Sequence, residues 1–272
     1  MKKNAFQSFA AVPHSVWVAM FIVAPLLFVL AFAFRGADGG FSLANIAELS
    51  QYGNVFVLSI AFALIATVIC LLIGYPLAYF MSRQSPRAQR ILMVLVMLPM
   101  WCNLLIRTYA LMALLDNGGL INSLLESMGL PKIPIVGTNF GVILGMVYDF
   151  LPYMVLPIYT SMSKLNNRYL EAAADLGCNP FQTLFRVVLP LTVPGIISGV
   201  TMVFVPSIST FYISQKLGGG NFDLIGDTIE RQFMSAYNYN LGAAISFVLM
   251  VLIIVSMTVM NRFGEEEGSV VA

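Results

Sequence analysis

The sequence predicts an all-α membrane protein with six transmembrane helices. Of its 272 residues 59% are hydrophobic and only 10% charged, with a mean hydropathy of +0.85, far more apolar than a single soluble core of this length requires. Six apolar runs, at 15–34, 54–81, 91–115, 138–162, 190–213 and 241–261, reach the roughly 20 residues that a helix needs to cross a bilayer.

The first run follows Met1-Lys2-Lys3 and contains Ala31-Phe32-Ala33 near its end, the pattern of a cleaved leader. It is longer than the apolar region of such a leader, so it is read as a retained first helix. With the N-terminus in the cytoplasm, the inner segments carry nine bases: Lys2, Lys3, Arg83, Arg87, Arg90, Lys164, Arg168, Arg186 and Arg262. The outer segments carry four: Arg35, Lys132, Lys216 and Arg231. That bias places both termini in the cytoplasm. The chain then divides into an N-terminal helix with its outer loop (1–53), a five-helix core (54–262) holding a cytoplasmic loop at 163–189, and a solvated tail (263–272) with Glu265-Glu266-Glu267. Pro25, Pro76, Pro99, Pro152, Pro157 and Pro206 fall inside the spans, predicting kinks whose freed carbonyls face protein or a water-filled cavity.

The outer segments reverse the charge bias, with Asp38, Glu48, Asp116, Glu126, Asp223, Asp227 and Glu230 against four bases. An acidic vestibule attracts cations; ordinary loop solvation explains the same residues. Asp116-Asn117-Gly118-Gly119 and Gly218 to Asn221 read as outer turns, open to a binding protein but needing none.

The chain lacks the groups that hydrolytic and metal-dependent chemistry uses. Its only histidine is His14, Cys70, Cys102 and Cys178 have no pair or ligand spacing, and no G-x-x-x-x-G-K-[ST] run exists to cradle nucleotide phosphates. No catalytic residue, metal site or nucleic-acid partner is therefore expected of it.

The polar loop EAAADLGCNPFQTLFRVVLP, 171–190, interrupts this pattern. Alanines at 172, 173 and 174 favour a helix, Gly177 can end it in the left-handed conformation, and Asn179-Pro180 restarts one with Asn as cap and Pro in the first turn. Two short helices at an angle are expected, the first with small residues that another surface can approach closely. The loop is also longer than a plain connector between helices.

Glu171-Ala172-Ala173, three residues, Gly177, nine residues, Val187, one residue and Leu189-Pro190 resemble the EAA motif of binding-protein-dependent ABC importer permeases, with Val187 in place of isoleucine. The resemblance implies the MetI-like type I importer fold, and it implies that Glu171, Ala172, Ala173, Gly177, Leu189 and Pro190 form a coupling helix and its flank, docking on a separate ATPase subunit. Leu98 to Trp101, Leu105 to Ala110, Gly145 to Tyr148, Leu151 to Tyr159, Leu217 to Gly220 and Leu224 to Gly226 are similar to spermidine/putrescine importer permeases of the PotB type. That likeness implies an inner-membrane subunit that holds no cofactor itself. Its partners would be two copies of an ATPase that uses ATP and Mg, a homologous second permease, and an extracytoplasmic polyamine-binding protein. Permeases for another organic cation or ferric iron share the fold, and a stand-alone secondary transporter is a different class.

Arg107 and Asp149 are ionisable residues well inside the spans, where charge is costly and faces a partner or a cavity. At 1.5 Å per residue they lie at similar depths, roughly 12 and 16 Å from one surface, and so can meet. If they pair, Asp149 is neutralised and structural; if Arg107 binds elsewhere, Asp149 can accept an ammonium group. Trp101, Tyr109, Tyr148, Tyr153 and Tyr159 share the same two predicted helices, and polyamines need separated carboxylates and aromatic faces. Asp149 and Tyr153, at i and i+4 beside Pro152, read as a polar stripe, with Asp116 at its outer end. The tyrosines equally suit packing between helices or interface anchoring.

Overall fold

The computed structural model describes residues 5–36 and 39–268; Lys2, Lys3 and Asp38 of the charge pattern lie outside them, as do the side chains of Glu265, Glu266 and Glu267. Among the described residues the chain is helical throughout, with one isolated bridge between Arg35 and Phe41. In order come α1 (Ala5–Val18), a π-helical turn (Ala19–Val23), α2 (Ala24–Ala33), α3 (Ala44–Glu48), a 3-10 turn (Leu49–Tyr52), α4 (Gly53–Ser82), α5 (Pro86–Trp101), α6 (Leu104–Leu115) and α7 (Leu120–Ser127). Then come α8 (Asn139–Ser163), α9 (Asn167–Asp175), α10 (Pro180–Thr183), a second π-helical turn (Leu184–Val188), α11 (Leu189–Ser209), α12 (Tyr212–Leu217), α13 (Ile225–Met234) and α14 (Tyr239–Gly268). Among the described residues six stretches are long and apolar enough to cross a membrane: Val12–Ala33, Ala44–Ser82, Leu104–Ser127, Asn139–Ser163, Pro180–Ser209 and Tyr239–Met260.

The third predicted span is corrected. Residues 91–115 are not one helix: α5 stops at Trp101, Cys102 is extended with ψ 146°, and Asn103 caps α6 by accepting from Leu105 N at 2.8 Å. α5 has 16 residues, about 24 Å of rise, short of a bilayer core of about 30 Å, so α5 and α6 complete one crossing between them. The Leu104–Ser127 stretch also turns, at Asp116 to Gly119. The fifth span departs from 190–213 at both ends, becoming helical at Pro180 and breaking at Thr210 and Phe211.

Each π turn precedes a proline. Ala24 N donates to Ala19 O before Pro25, and Leu189 N to Leu184 O before Pro190. Proline has no N–H and its ring collides with the carbonyl four residues back; widening the preceding turn to i−5 moves that carbonyl aside without ending the helix.

The chain forms two compact units. One comprises Met1–Asn54 and Thr228–Leu252. Within it Phe34 stacks on Phe41 at 5.6 Å and meets Phe247 edge-on at 5.5 Å, while Asn45 Nδ2 donates to Arg35 O at 2.9 Å, tying α3 to the end of α2.

The other comprises Val55–Asp227 and Ile253–Ala272, and α8 is its axis. Thr138 Oγ1 caps α8 by accepting from Gly141 N at 3.1 Å. The helix is buried on several sides, through Val142, Met146, Met154, Val155 and Ile158, because α5, α6, α11 and α12 all pack on it. Small residues set how close they come, as is usual between membrane helices. A Cβ on Gly199 of α11 would sit 3.1 Å from Met154 O and 2.8 Å from its Sδ, and one on Gly74 of α4 3.0 Å from Met154 Cγ. Met154 thus fills the junction of three helices.

Candidate transport site

The loop forms as its residues dictate. Asn166 caps α9 through Arg168 N at 3.1 Å. Gly177 ends the helix with φ +75°, and Cys178 N reaches back to Ala173 O at 3.0 Å while Gly177 N reaches Ala174 O at 2.9 Å, the paired bonds of a glycine-terminated helix. Ala173 is buried; Glu171, Ala172 and Ala174 face outward. Asn179 then makes a reciprocal capping box with Gln182, at 2.8 and 3.0 Å. The second helix differs from the expectation in length: it does not stop but runs through the π turn and Leu189-Pro190 into α11, so Pro180–Ser209 is one helical path of 30 residues. Leu176 at 84% exposure and Phe181 at 70% leave an apolar surface on the loop, where the rings of Phe181 and Phe185 lie 4.5 Å apart.

Of the two arrangements open for the buried charges, the structure forms the pair. Arg107 Nε is 3.3 Å from Asp149 Oδ1, with Asp149 wholly buried, and Thr108 Oγ1 lies 3.2 Å from Asp149 Oδ2. The charges touch, but Arg107 Nη1 and Asp149 Oδ1 make no aligned hydrogen bond.

The aromatic stripe divides into separate places. Trp101 ends α5 rather than sharing a helix with Arg107, and is 74% exposed, because the chain breaks directly after it. Tyr159 is buried, donating to Gln89 Oε1 at 3.1 Å, while Gln89 Nε2 donates to Ser82 O and Gln84 O; this network fastens α8 to the α4–α5 corner. Tyr148 lines a cavity of about 200 Å³ with Pro99 and Pro152, and Tyr153 meets Phe150 edge-on at 6.3 Å. Asp116 is exposed at the end of α6, where its backbone carbonyl accepts from the buried Asn122.

Tyr109 alone of these joins a cationic cluster, with two residues that sequence reasoning missed. Its ring lies 5.8 Å from that of Tyr212, at 79°, and Lys216 Nζ sits 5.1 Å from the Tyr109 centroid and 5.8 Å from that of Tyr212. A signal exists in the sequence, since Tyr212 and Lys216 stand at i and i+4, one face of a helix. The apolar run through Ile213 hides it, by extending the fifth span over Tyr212 and leaving Lys216 as loop charge.

Residues 71–265 match the family model of the binding-protein-dependent transport system inner membrane component. The chain belongs to this family. As an inner membrane component with six helical stretches, among the described residues, long and apolar enough to cross a membrane, it is a multi-pass membrane protein and a transport subunit, not an enzyme. It is 41% identical to the spermidine/putrescine transport system permease protein PotB of Haemophilus influenzae, over 95% of this chain and 94% of the relative. To the Escherichia coli protein of the same name it is 38% identical, over 87% and 90%. Among solved structures it resembles a subunit of a bacterial ABC transporter involved in the import of the acidic polysaccharide alginate, with a TM-score of 0.76 at 18% identity over 96% of both chains. It also resembles one of the MetNI methionine ABC transporter, with a TM-score of 0.60 at 15% identity over 79% of this chain and 94% of that one. These similarities establish the fold of this inner membrane component, that of the ABC importer permeases.

Proposed function

We propose that this inner membrane component is a permease subunit of an ATP-driven polyamine importer that works by alternating access. The observation that carries the transport reading is the loop: an exposed alanine-faced helix, ended by left-handed Gly177, leads into a capped helix continuous with α11. Glu171, Ala172, Ala173, Gly177, Leu189 and Pro190 couple it to a cytoplasmic ATPase, whose groove takes the small-residue face of α9 and the exposed Leu176 and Phe181. In this reading both termini lie in the cytoplasm, an orientation that the distribution of bases supports.

One chain supplies one such loop. Two ATPase copies, which bind ATP and Mg, therefore engage this chain and a homologous second permease, and a binding protein delivers substrate from outside. ATP closes the ATPase pair, the loops move together, and the cavity between the permeases turns outward. Spermidine and putrescine are the substrates in the names of the relatives, and the tyrosine cluster that already holds an ammonium suits such flexible polycations. Tyr109 is the pathway residue this reading favours among those expected from the sequence.

The test is uptake of labelled spermidine and putrescine in cells lacking this gene, with and without the gene restored. Restored uptake of either is expected. An unchanged rate, with the complex assembled in the membrane, would overturn the polyamine assignment.

A further inference from the structure

We propose that the Lys216 ammonium is a tethered placeholder: it occupies, in the absence of substrate, the tyrosine clamp that receives a terminal ammonium group of a polyamine. The inference rests on the polyamine reading above and adds a regulatory element to it.

The clamp is defined by two rings set edge to face, 5.8 Å apart at 79°, with one cation at 5.1 and 5.8 Å from their centroids. Both distances lie within the range at which a ring quadrupole attracts a cation. The occupant is itself informative. A lysine side chain is a primary ammonium on a flexible four-carbon stem, the same chemistry as the aminobutyl arm of putrescine and spermidine. What the protein places beside Tyr109 and Tyr212 is therefore a covalently attached copy of one end of the proposed substrate.

The arrangement is built for exchange. Arg107, on the same helix as Tyr109, is buried beside a carboxylate, whereas Lys216 is half-buried against ring faces. A contact of that kind is weak enough for a free ammonium in solution to displace. Tyr109 remains 46% exposed, so the clamp has an open side. The jaws also belong to different elements. Tyr109 is on α6, while Tyr212 and Lys216 ride on α12, a six-residue helix between the break at Thr210 and the glycines at 218–220. A shift of α12 away from α6 separates the two rings and carries Lys216, together with Tyr212, off the Tyr109 ring.

A placeholder lowers apparent affinity until substrate competes it away. Binding of labelled spermidine should therefore be measured on the permease assembled with its partner subunits in nanodiscs, without the binding protein. Lys216→Met is expected to bind about tenfold more tightly than wild type, the magnitude of two modest cation–ring contacts. Lys216→Arg, which keeps a cation on the rings, should behave as wild type, and Tyr212→Ala added to Lys216→Met should abolish the gain. Unchanged or weaker binding by Lys216→Met overturns the placeholder.

A second measurement needs no substitution. Dimethylation of lysines with a carbon-13 label keeps the charge, and the Lys216 methyl resonance, displaced by the tyrosine ring currents, should move to the position of a free lysine when spermidine is added. A resonance that stays in place overturns the inference even if the methionine variant does not assemble. Uptake by the wild-type complex supplied with its binding protein separates the two levels. Absent uptake overturns the polyamine reading and the placeholder with it, whereas normal uptake without a gain in Lys216→Met overturns the placeholder alone.

Discussion

Arg107 Nε lies 3.3 Å from Asp149 Oδ1, joining α6 to α8 at a point where both side chains are buried. Removing one partner of such a pair strands the other charge in a low-dielectric interior, whereas replacing both with apolar groups relieves it. Asp149→Asn is therefore expected to destabilise the permease by about 3–5 kcal/mol, and Arg107→Met combined with Asp149→Leu to recover most of the loss. Thermal denaturation of the solubilised complex, followed by size-exclusion chromatography, measures both. A wild-type midpoint for Asp149→Asn would show that the pair does not hold the two helices together.

Tyr159 provides a contrast, because its hydroxyl ends on Gln89 and not in a cavity. Tyr159→Phe should lower stability by about 1 kcal/mol, the usual worth of one such bond, and leave the KM for polyamine uptake unchanged. A several-fold rise in KM at unchanged stability would return Tyr159 to the transport path.

The junction around Met154 tolerates no added volume. Gly199→Val places a Cβ against Met154 O and Sδ, and overpacking of this kind costs about 1–3 kcal/mol. The amount of folded protein in the membrane should fall. Adding Met154→Ala should restore part of it by removing the sulfur contact while the carbonyl contact remains. No recovery in the double variant would mean that the backbone contact alone sets the spacing of α8 and α11.

At Gly177 the backbone, at φ +75°, excludes a branched side chain, with strain of about 1–3 kcal/mol. Asparagine adopts this conformation more readily. Gly177→Val should abolish uptake with the permease still present in the membrane, and Gly177→Asn should keep much of it, as measured by labelled uptake normalised to membrane content. Equal rates for the two variants would separate the left-handed turn from coupling.

How far the sequence could be read depended on the range of the interactions. The caps at Asn179 and Gly177 involve neighbours within five residues, so residue identity alone announced them. The approach of Arg107 to Asp149 came from counting rise along two helices, but whether they paired did not, since pairing depends on how the helices rotate against each other. The break at Cys102 was invisible to hydropathy, because the apolar run continues across it from Ile91 to Leu115; Asn103 before a leucine pair was the local hint. Tyr212 and Lys216 were separable from the fifth span only by knowing that α11 stops at Ser209, which the apolar run through Ile213 conceals.

The continuous helix from Pro180 to Ser209 has a mechanical consequence. Its 30 residues span about 45 Å, and no loop interrupts it between the capping box and the break at Thr210. The π turn at Leu184–Val188 and the prolines at 190, 194 and 206 lie within it, and these are the places where a helix bends. A displacement at the Asn179 end therefore meets these bends before it reaches the break at Thr210. How firmly those bends are held thus decides how much of a movement at one end of the helix reaches the link to α12.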